Sequence, residues 1–179
     1  MFRENPEKHV VMLSTKLENA NAFFESVSDR ISQSAKREAF VFVPGFNQTF
    51  EDATKRTAQI AYDLAFDGPA IAFSWPSQGA LSPAAYLRDQ RNADLSAQAL
   101  EDFLLRLKGS SKQVTIHIVA HSMGNRVLAR ALERIGMSGA RGTRPLREVA
   151  MMAPDIDAAL FRQAARQIAA AAERVTLYA

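Results

Sequence analysis

One serine in this chain is set by its neighbours to act as a nucleophile. Ser122 lies in the run Val114–Arg126 (VTIHIVAHSMGNR), two residues after Ala120 and two before Gly124. A serine on a strained strand-to-helix turn needs small residues at that spacing, because the turn brings the flanking backbones together and a larger side chain would clash. Such a turn lifts the hydroxyl above the strand ends. It also aims the Met123 amide at the same point, at a helix start where unpaired N–H groups and the helix dipole favour negative charge. The chemistry this implies is attack on a carbonyl, with Met123 N–H as one donor to the oxyanion. The same string also suits an ordinary helix with a serine N-cap.

A serine hydroxyl is a poor nucleophile near neutral pH without a base, and the chain has three histidines, His9, His117 and His121. None is well placed. His117 falls mid-strand and points to a face of the sheet. His121 directly precedes Ser122, so its side chain leaves in another direction and is assigned to the pocket wall. His9 precedes the core and is expected to be exposed. Asp155, at a strand end, is the one acid that could orient a base, and it could equally close the turn or cap the next helix. Asp157 reads as an N-cap. Trp75, with Pro76 and Ser77, either lines the pocket or serves the sheet.

The elements that must position these groups follow from periodicity. Val114, Ile116, Ile118 and Val119 form a β-branched strand, and Val127, Leu128, Ala131, Leu132 and Ile135 then recur at helical steps. Val10–Leu13 reads as a short strand and Asn19–Ser34 as a helix, an N-terminal extension over about residues 9–35. Ala39–Val43 is a buried strand ended by Pro44-Gly45. A helix over Phe50–Phe66 follows, with Phe50, Ala53, Thr57, Ile60, Ala61 and Leu64 on its inner face. Ala70–Trp75 is the next strand. Pro83 suits a first helical position, and the helix it opens runs to about Lys108, with Leu100, Phe103, Leu104 and Leu107 inward. After a loop over Gly136–Pro145 come a strand at Glu148–Ala153, a helix after Asp157 with Leu160, Ala164, Ile168 and Ala171 inward, and a last strand at Arg174–Tyr178. Buried strands alternating with helices predict a three-layer α/β/α sandwich with a mostly parallel sheet, in one domain whose core is about residues 39–179. Reactive groups in such sheets lie beyond the carboxyl ends of the strands, where Pro44-Gly45, Ser74–Ser77, Ser122 and Pro154-Asp155 all fall.

Composition narrows the function classes. Apolar residues are 47% of the 179 and charged residues 23%, near the averages of folded globular chains. The net charge of +3 is mild and the arginines are scattered, so nucleic acid is not an expected partner. The absence of cysteine rules out disulfides and thiolate metal sites. No apolar run is long enough to span a bilayer, and the short run after the polar N-terminus does not make a signal peptide. The sequence as given is therefore read as soluble and cytoplasmic, with a signal upstream of Met1 left open.

The strings Phe42-Val43-Pro44-Gly45-Phe46-Asn47, Arg56-Thr57-Ala58-Gln59, Phe73-Ser74-Trp75-Pro76-Ser77, Ala120-His121-Ser122-Met123-Gly124-Asn125-Arg126, Ala153-Pro154-Asp155-Ile156-Asp157 and Val175-Thr176-Leu177-Tyr178-Ala179 run in order from about Phe40 to the end. Together they resemble the α/β-hydrolase superfamily, and within it the bacterial DUF900 group of esterase- or lipase-like proteins. The resemblance implies a small-molecule ester or acyl substrate, a Ser-His-acid triad with Ser122 as nucleophile, and no metal or organic cofactor. It carries the second oxyanion donor onto the amide of Phe46, and it places the Phe40 strand between the Ala70 and Val114 strands. Pro44 and Gly45 then shape the oxyanion loop, with Pro44 standing where the family usually has histidine.

In the family an acid follows the strand matching Arg174–Tyr178, and the base histidine lies further on. The chain is accordingly read as a hydrolase fold incomplete at its C-terminus, lacking the base and the usual acid. Its last strand is expected to be an exposed edge open to self-association. The alternative is a binding module that keeps the scaffold, with Ser122 as a relic.

Overall fold

A computed structural model describes residues 10–111, 113–137 and 146–179. The elements are α1 (Ala20–Gln33), β1 (Glu38–Val43), α2 (Phe50–Asp63), β2 (Ala70–Ala72), α3 (Pro83–Ser110), β3 (Thr115–His121), α4 (Gly124–Met137), β4 (Leu146–Met152), α5 (Ala158–Ala171) and β5 (Ala172–Tyr178). The five strands form one sheet in the order β2-β1-β3-β4-β5, and every pairing is parallel. The Phe40 strand therefore lies between the Ala70 and β3 strands, as the resemblance implies.

The direction of travel across the sheet decides which face each helix covers. The chain steps one way from β1 to β2 and the other way through β3, β4 and β5. Right-handed crossovers then put α2 on one face and α3, α4 and α5 on the other. Strand side chains alternate between these faces. Val41, Val43, Ile116, Ile118, Ala120, Val149 and Met151 are buried beneath the three-helix layer, with Leu100, Leu104, Leu128 and Leu132 closing over them. On the other face Phe66, just past α2, packs on Phe40 and His117, with ring centroids 5.9 and 6.4 Å away. Phe40 and Phe42 are buried there, whereas His117, Val119, Ala150 and Thr176 are only half-buried.

Several expected boundaries move. Val10–Leu13 is not a strand; it is irregular, with Leu13 and Leu17 exposed. A hydrophobic run that short needs a pairing partner to become a strand, and none reaches it. β2 stops at Ala72 instead of Trp75, although Phe73 N–H still donates to Phe42 O at 2.9 Å. α2 ends three residues early, at Asp63, because Ala65 adopts φ 47° and Phe66 N–H folds back to Ala61 O at 2.9 Å, a left-handed C-terminal cap. Phe50 and Leu64 at its two ends are exposed, leaving Ala53 and Thr57 as the buried positions of α2, and Leu160 at the start of α5 is exposed too. Pro83 opens α3 behind the N-cap Ser82, and Asp157 caps α5 by accepting from Ala159 and Leu160 N–H at 2.8 and 3.0 Å. The expected loop's residues Ser138–Pro145, like His9, lie outside the described residues.

Candidate active site

Ser122 sits between the end of β3 and the start of α4 with φ 49°, in the left-handed region that disfavours any residue with a Cβ. An ordinary N-cap has extended backbone and a side chain that accepts from the first helical turn. Ser122 has neither feature, since among the described residues its Oγ makes no hydrogen bond. Its backbone is held instead. Ser122 N–H donates to Met152 O at 3.0 Å, and Ser122 O accepts from Asn125 N–H, Asn125 Nδ2 and Asp155 N–H at 3.0, 3.1 and 3.2 Å. Asn125, fully buried, also donates from Nδ2 to Met152 O at 3.0 Å. One side chain thus ties the β3 turn to the end of β4.

The small residues at this turn answer to close packing. A Cβ on Gly124 would lie 2.3 Å from Pro44 O and 2.4 Å from Val43 O, so only glycine lets the β1 end approach. A Cβ on Gly45 would meet Ser122 Cβ at 3.0 Å and His121 Nδ1 at 3.1 Å. The loop after β1 is therefore laid directly on the serine turn, with the exposed His121 ring beside Gly45. Pro44 and Gly45 are buried, and Phe46 and Asn47 are half-buried. Trp75 lies behind this loop, buried, and its Nε1 donates to Pro44 O at 2.8 Å. Among the described residues the N–H groups of Phe46 and Met123 have no protein acceptor.

Strain gathers here. Of the five non-glycine residues with positive φ among the described residues, Asn47, Ser122 and Ala153 follow the carboxyl ends of β1, β3 and β4. Left-handed backbone costs roughly 1–2 kcal/mol at a residue with a Cβ, and it persists where the surrounding packing enforces it, commonly at functional sites.

Asp155 is brought to this turn by its backbone, and its carboxylate is held by a residue that sequence patterns did not single out. Tyr86, in the first turn of α3, donates from its hydroxyl to Asp155 Oδ2 at 2.8 Å. The Tyr86 ring also meets Phe46 edge-on, with centroids 5.4 Å apart. Hydrogen bonding to the carboxylate, then burial, push the Tyr86 phenol above its ordinary pKa, while Gln90 and the Arg126 guanidinium pull the other way. Arg126 donates from Nε and Nη2 to Asp94 at 3.0 and 3.2 Å, and that pairing raises its pKa further. The fully buried Asp89 accepts from Ser77 Oγ at 2.8 Å and Gln78 N–H at 3.0 Å, pinning the segment after β2 to α3. Asn125 stood in the motif string, but nothing in its spacing revealed a buried clamp. Tyr86 and Asp89 carried no signal, because their partners are distant in sequence.

The histidines stay apart from this cluster as bases. His117 lies about 16 Å down the strand from Ser122 at about 3.3 Å per residue, with Nε2 3.5 Å from Glu38. Among the described residues no group of three or more His, Asp or Glu side chains could hold a metal ion. A cavity of about 1260 Å³ opens along the free edge of β2, between α1 and α2, and Ser122 does not line it.

The comparisons with known proteins agree with this architecture. The chain is 22% identical over 138 residues to the "Uncharacterized protein alr1448" of Nostoc sp., an alignment covering 75% of this chain and 33% of that protein. The chain thus spans about a third of the length of the curated relative it matches. The family described as "Alpha/beta hydrolase of unknown function (DUF900)" matches residues 19–179, the whole sheet and every helix included. The chain belongs to the DUF900 family of alpha/beta hydrolases.

Proposed function

We propose that this chain is the nucleophile-bearing part of a serine hydrolase acting on carboxylic esters or related acyl compounds. The observation that carries the reading is Ser122 itself, held at φ 49° beyond a central parallel strand with the Gly45 loop packed on its Cβ. In this reading the Ser122 oxygen attacks the acyl carbon, and the amides of Met123 and Phe46 receive the developing oxyanion. Asp155 orients a base that accepts the serine proton and returns it to the leaving alcohol. Water then cleaves the acyl-enzyme by the same route in reverse roles. The base is proposed to come from outside the described residues, since neither described histidine is paired with the serine.

That same observation favours the second reading, a hydrolase scaffold kept for binding. The two separate by assay. Residues 1–179 should hydrolyse p-nitrophenyl acetate weakly, by no more than the order of 10³ over water that a site without its full triad retains. Imidazole added as an external base should raise the rate in the wild-type chain above that of Ser122→Ala, and a fluorophosphonate should label Ser122. A longer product of the gene, if the reading frame extends and supplies a histidine, should turn over far faster and lose that rate with Ser122→Ala. No labelling and no Ser122-dependent rate in any of these would replace the hydrolase reading with the binding module.

A further inference from the structure

We propose that Tyr86 is a positioning residue of this site, its hydroxyl orienting the Asp155 carboxylate while its ring seats Phe46 of the oxyanion loop; this rests on Ser122 being the nucleophile. Three loops meet at the serine, after β1, β3 and β4. Packing alone joins the first two, through Gly45 and Gly124. The β3 and β4 loops are joined by backbone bonds at Ser122 and Asp155 and by Asn125. Tyr86 touches the two outer loops at once, from a helix that belongs to neither: Phe46 through its ring, at 5.4 Å, and Asp155 through its hydroxyl, at 2.8 Å.

The geometry has a chemical consequence. A carboxylate that orients a base needs one oxygen facing that base and its plane fixed by something else. Tyr86 occupies Oδ2, and among the described residues Oδ1 has no hydrogen-bond partner. A neutral donor satisfies one oxygen without discharging the carboxylate, whereas an arginine there would compete with the base for its charge. Arg126, the cation whose charge acts on the pair, is itself engaged by Asp94. The arrangement thus leaves one oxygen of Asp155 without a partner among the described residues, on a loop whose backbone is bonded to Ser122 O.

Two measurements test this. The hydrogen bond to Asp155 holds the Tyr86 phenol above its ordinary pKa, so a titration of the Tyr86 ring signals by NMR should show it ionising above that ordinary value. The groups facing that phenol are Asp155, Arg126 with its partner Asp94, and Gln90; of these Asp155 is the one holding it up, so Asp155→Asn should lower the Tyr86 titration toward the ordinary phenol value. In the Ser122-dependent assay of a chain that carries its base histidine, Tyr86→Phe should lower kcat about ten- to a hundredfold with KM unchanged, the scale of one hydrogen bond to a charged group. Tyr86→Ala should lower it further because Phe46 loses its neighbour. A purely structural role would lower thermal stability and leave kcat per folded molecule intact, so unfolding is measured on each variant. Strong Ser122 labelling with unchanged kcat in Tyr86→Phe, or a Tyr86 titration that Asp155→Asn leaves where it was, would overturn the role of Tyr86 alone. Absence of any Ser122 labelling would overturn both it and the hydrolase reading.

Discussion

At Ser122 two explanations of one residue predict opposite stabilities. As an N-cap, Ser122→Ala would cost about 1 kcal/mol by freeing a helix N–H. Here the hydroxyl caps nothing, and the turn is held through backbone atoms and through Asn125. Ser122→Ala should therefore leave unfolding free energy within about 0.5 kcal/mol of wild type, as for substitutions that remove no such contact. Asn125→Ala strips buried donors from Ser122 O and Met152 O and should cost about 1–3 kcal/mol. Urea unfolding of the two variants side by side makes the comparison. A cost at Ser122 equal to that at Asn125 would return the residue to a structural role.

At the level of elements, α2 shows how local chemistry sets an end that tertiary contacts do not. Its start is a capping box: Thr49 Oγ1 accepts from Asp52 N–H at 3.1 Å, while Thr49 N–H and its hydroxyl donate to Asp52 Oδ2 at 3.2 and 2.6 Å. The hydroxyl first, then the backbone N–H, hold the Asp52 carboxyl below its ordinary pKa, with Lys55 adding and desolvation opposing. A folded pKa below the unfolded one means that the stabilisation is present above the unfolded value, near 4, and is lost as pH falls through the folded value. Amide signals of Thr49–Ala53 should shift in one step below pH about 4 in the wild-type chain, and that step should vanish in Asp52→Asn. Because the carboxyl is largely exposed, the effect on global stability is small.

Across the whole molecule the sheet is covered unevenly. Three helices seal one face, and on the other α2 lies chiefly over β1 and β2, so His117, Val119, Ala150 and Thr176 stay half-buried. β5 is an outer strand seven residues long, with Leu177 and Tyr178 exposed and no partner on its far side among the described residues. The charges near its start are engaged in loose pairs, Arg147 with Glu173 and Arg174 with Glu148, both at 3.6 Å. Such an edge is a template for a further strand, and a second copy of the chain is the proposed occupant in solution. Residues 1–179 should show concentration-dependent association by sedimentation, and Leu177→Lys should reduce it. A monomer at all concentrations would remove the proposal. No helix among the described residues is long and apolar enough to cross a membrane.

The sequence by itself determined the periodic elements, and through them the parallel sheet and the turn at Ser122. Buried strands and amphipathic helices are written in local spacing, and Ala120, Gly124 and Gly45 record close backbone approach in residue type. It misplaced Val10–Leu13 because pairing, not hydrophobicity, makes a strand, and it put Phe50 and Leu64 inside because a helical stripe does not say how far the sheet extends beneath it. Only the tertiary structure decided the contents of the site around the serine. Asn125 is a clamp because Met152 O lies beside Ser122 O, and Tyr86 matters because α3 carries it between Phe46 and Asp155, 69 residues further along the chain. Contacts of that span have no period and no local composition; the packing of α3 and α4 across the strand ends creates them.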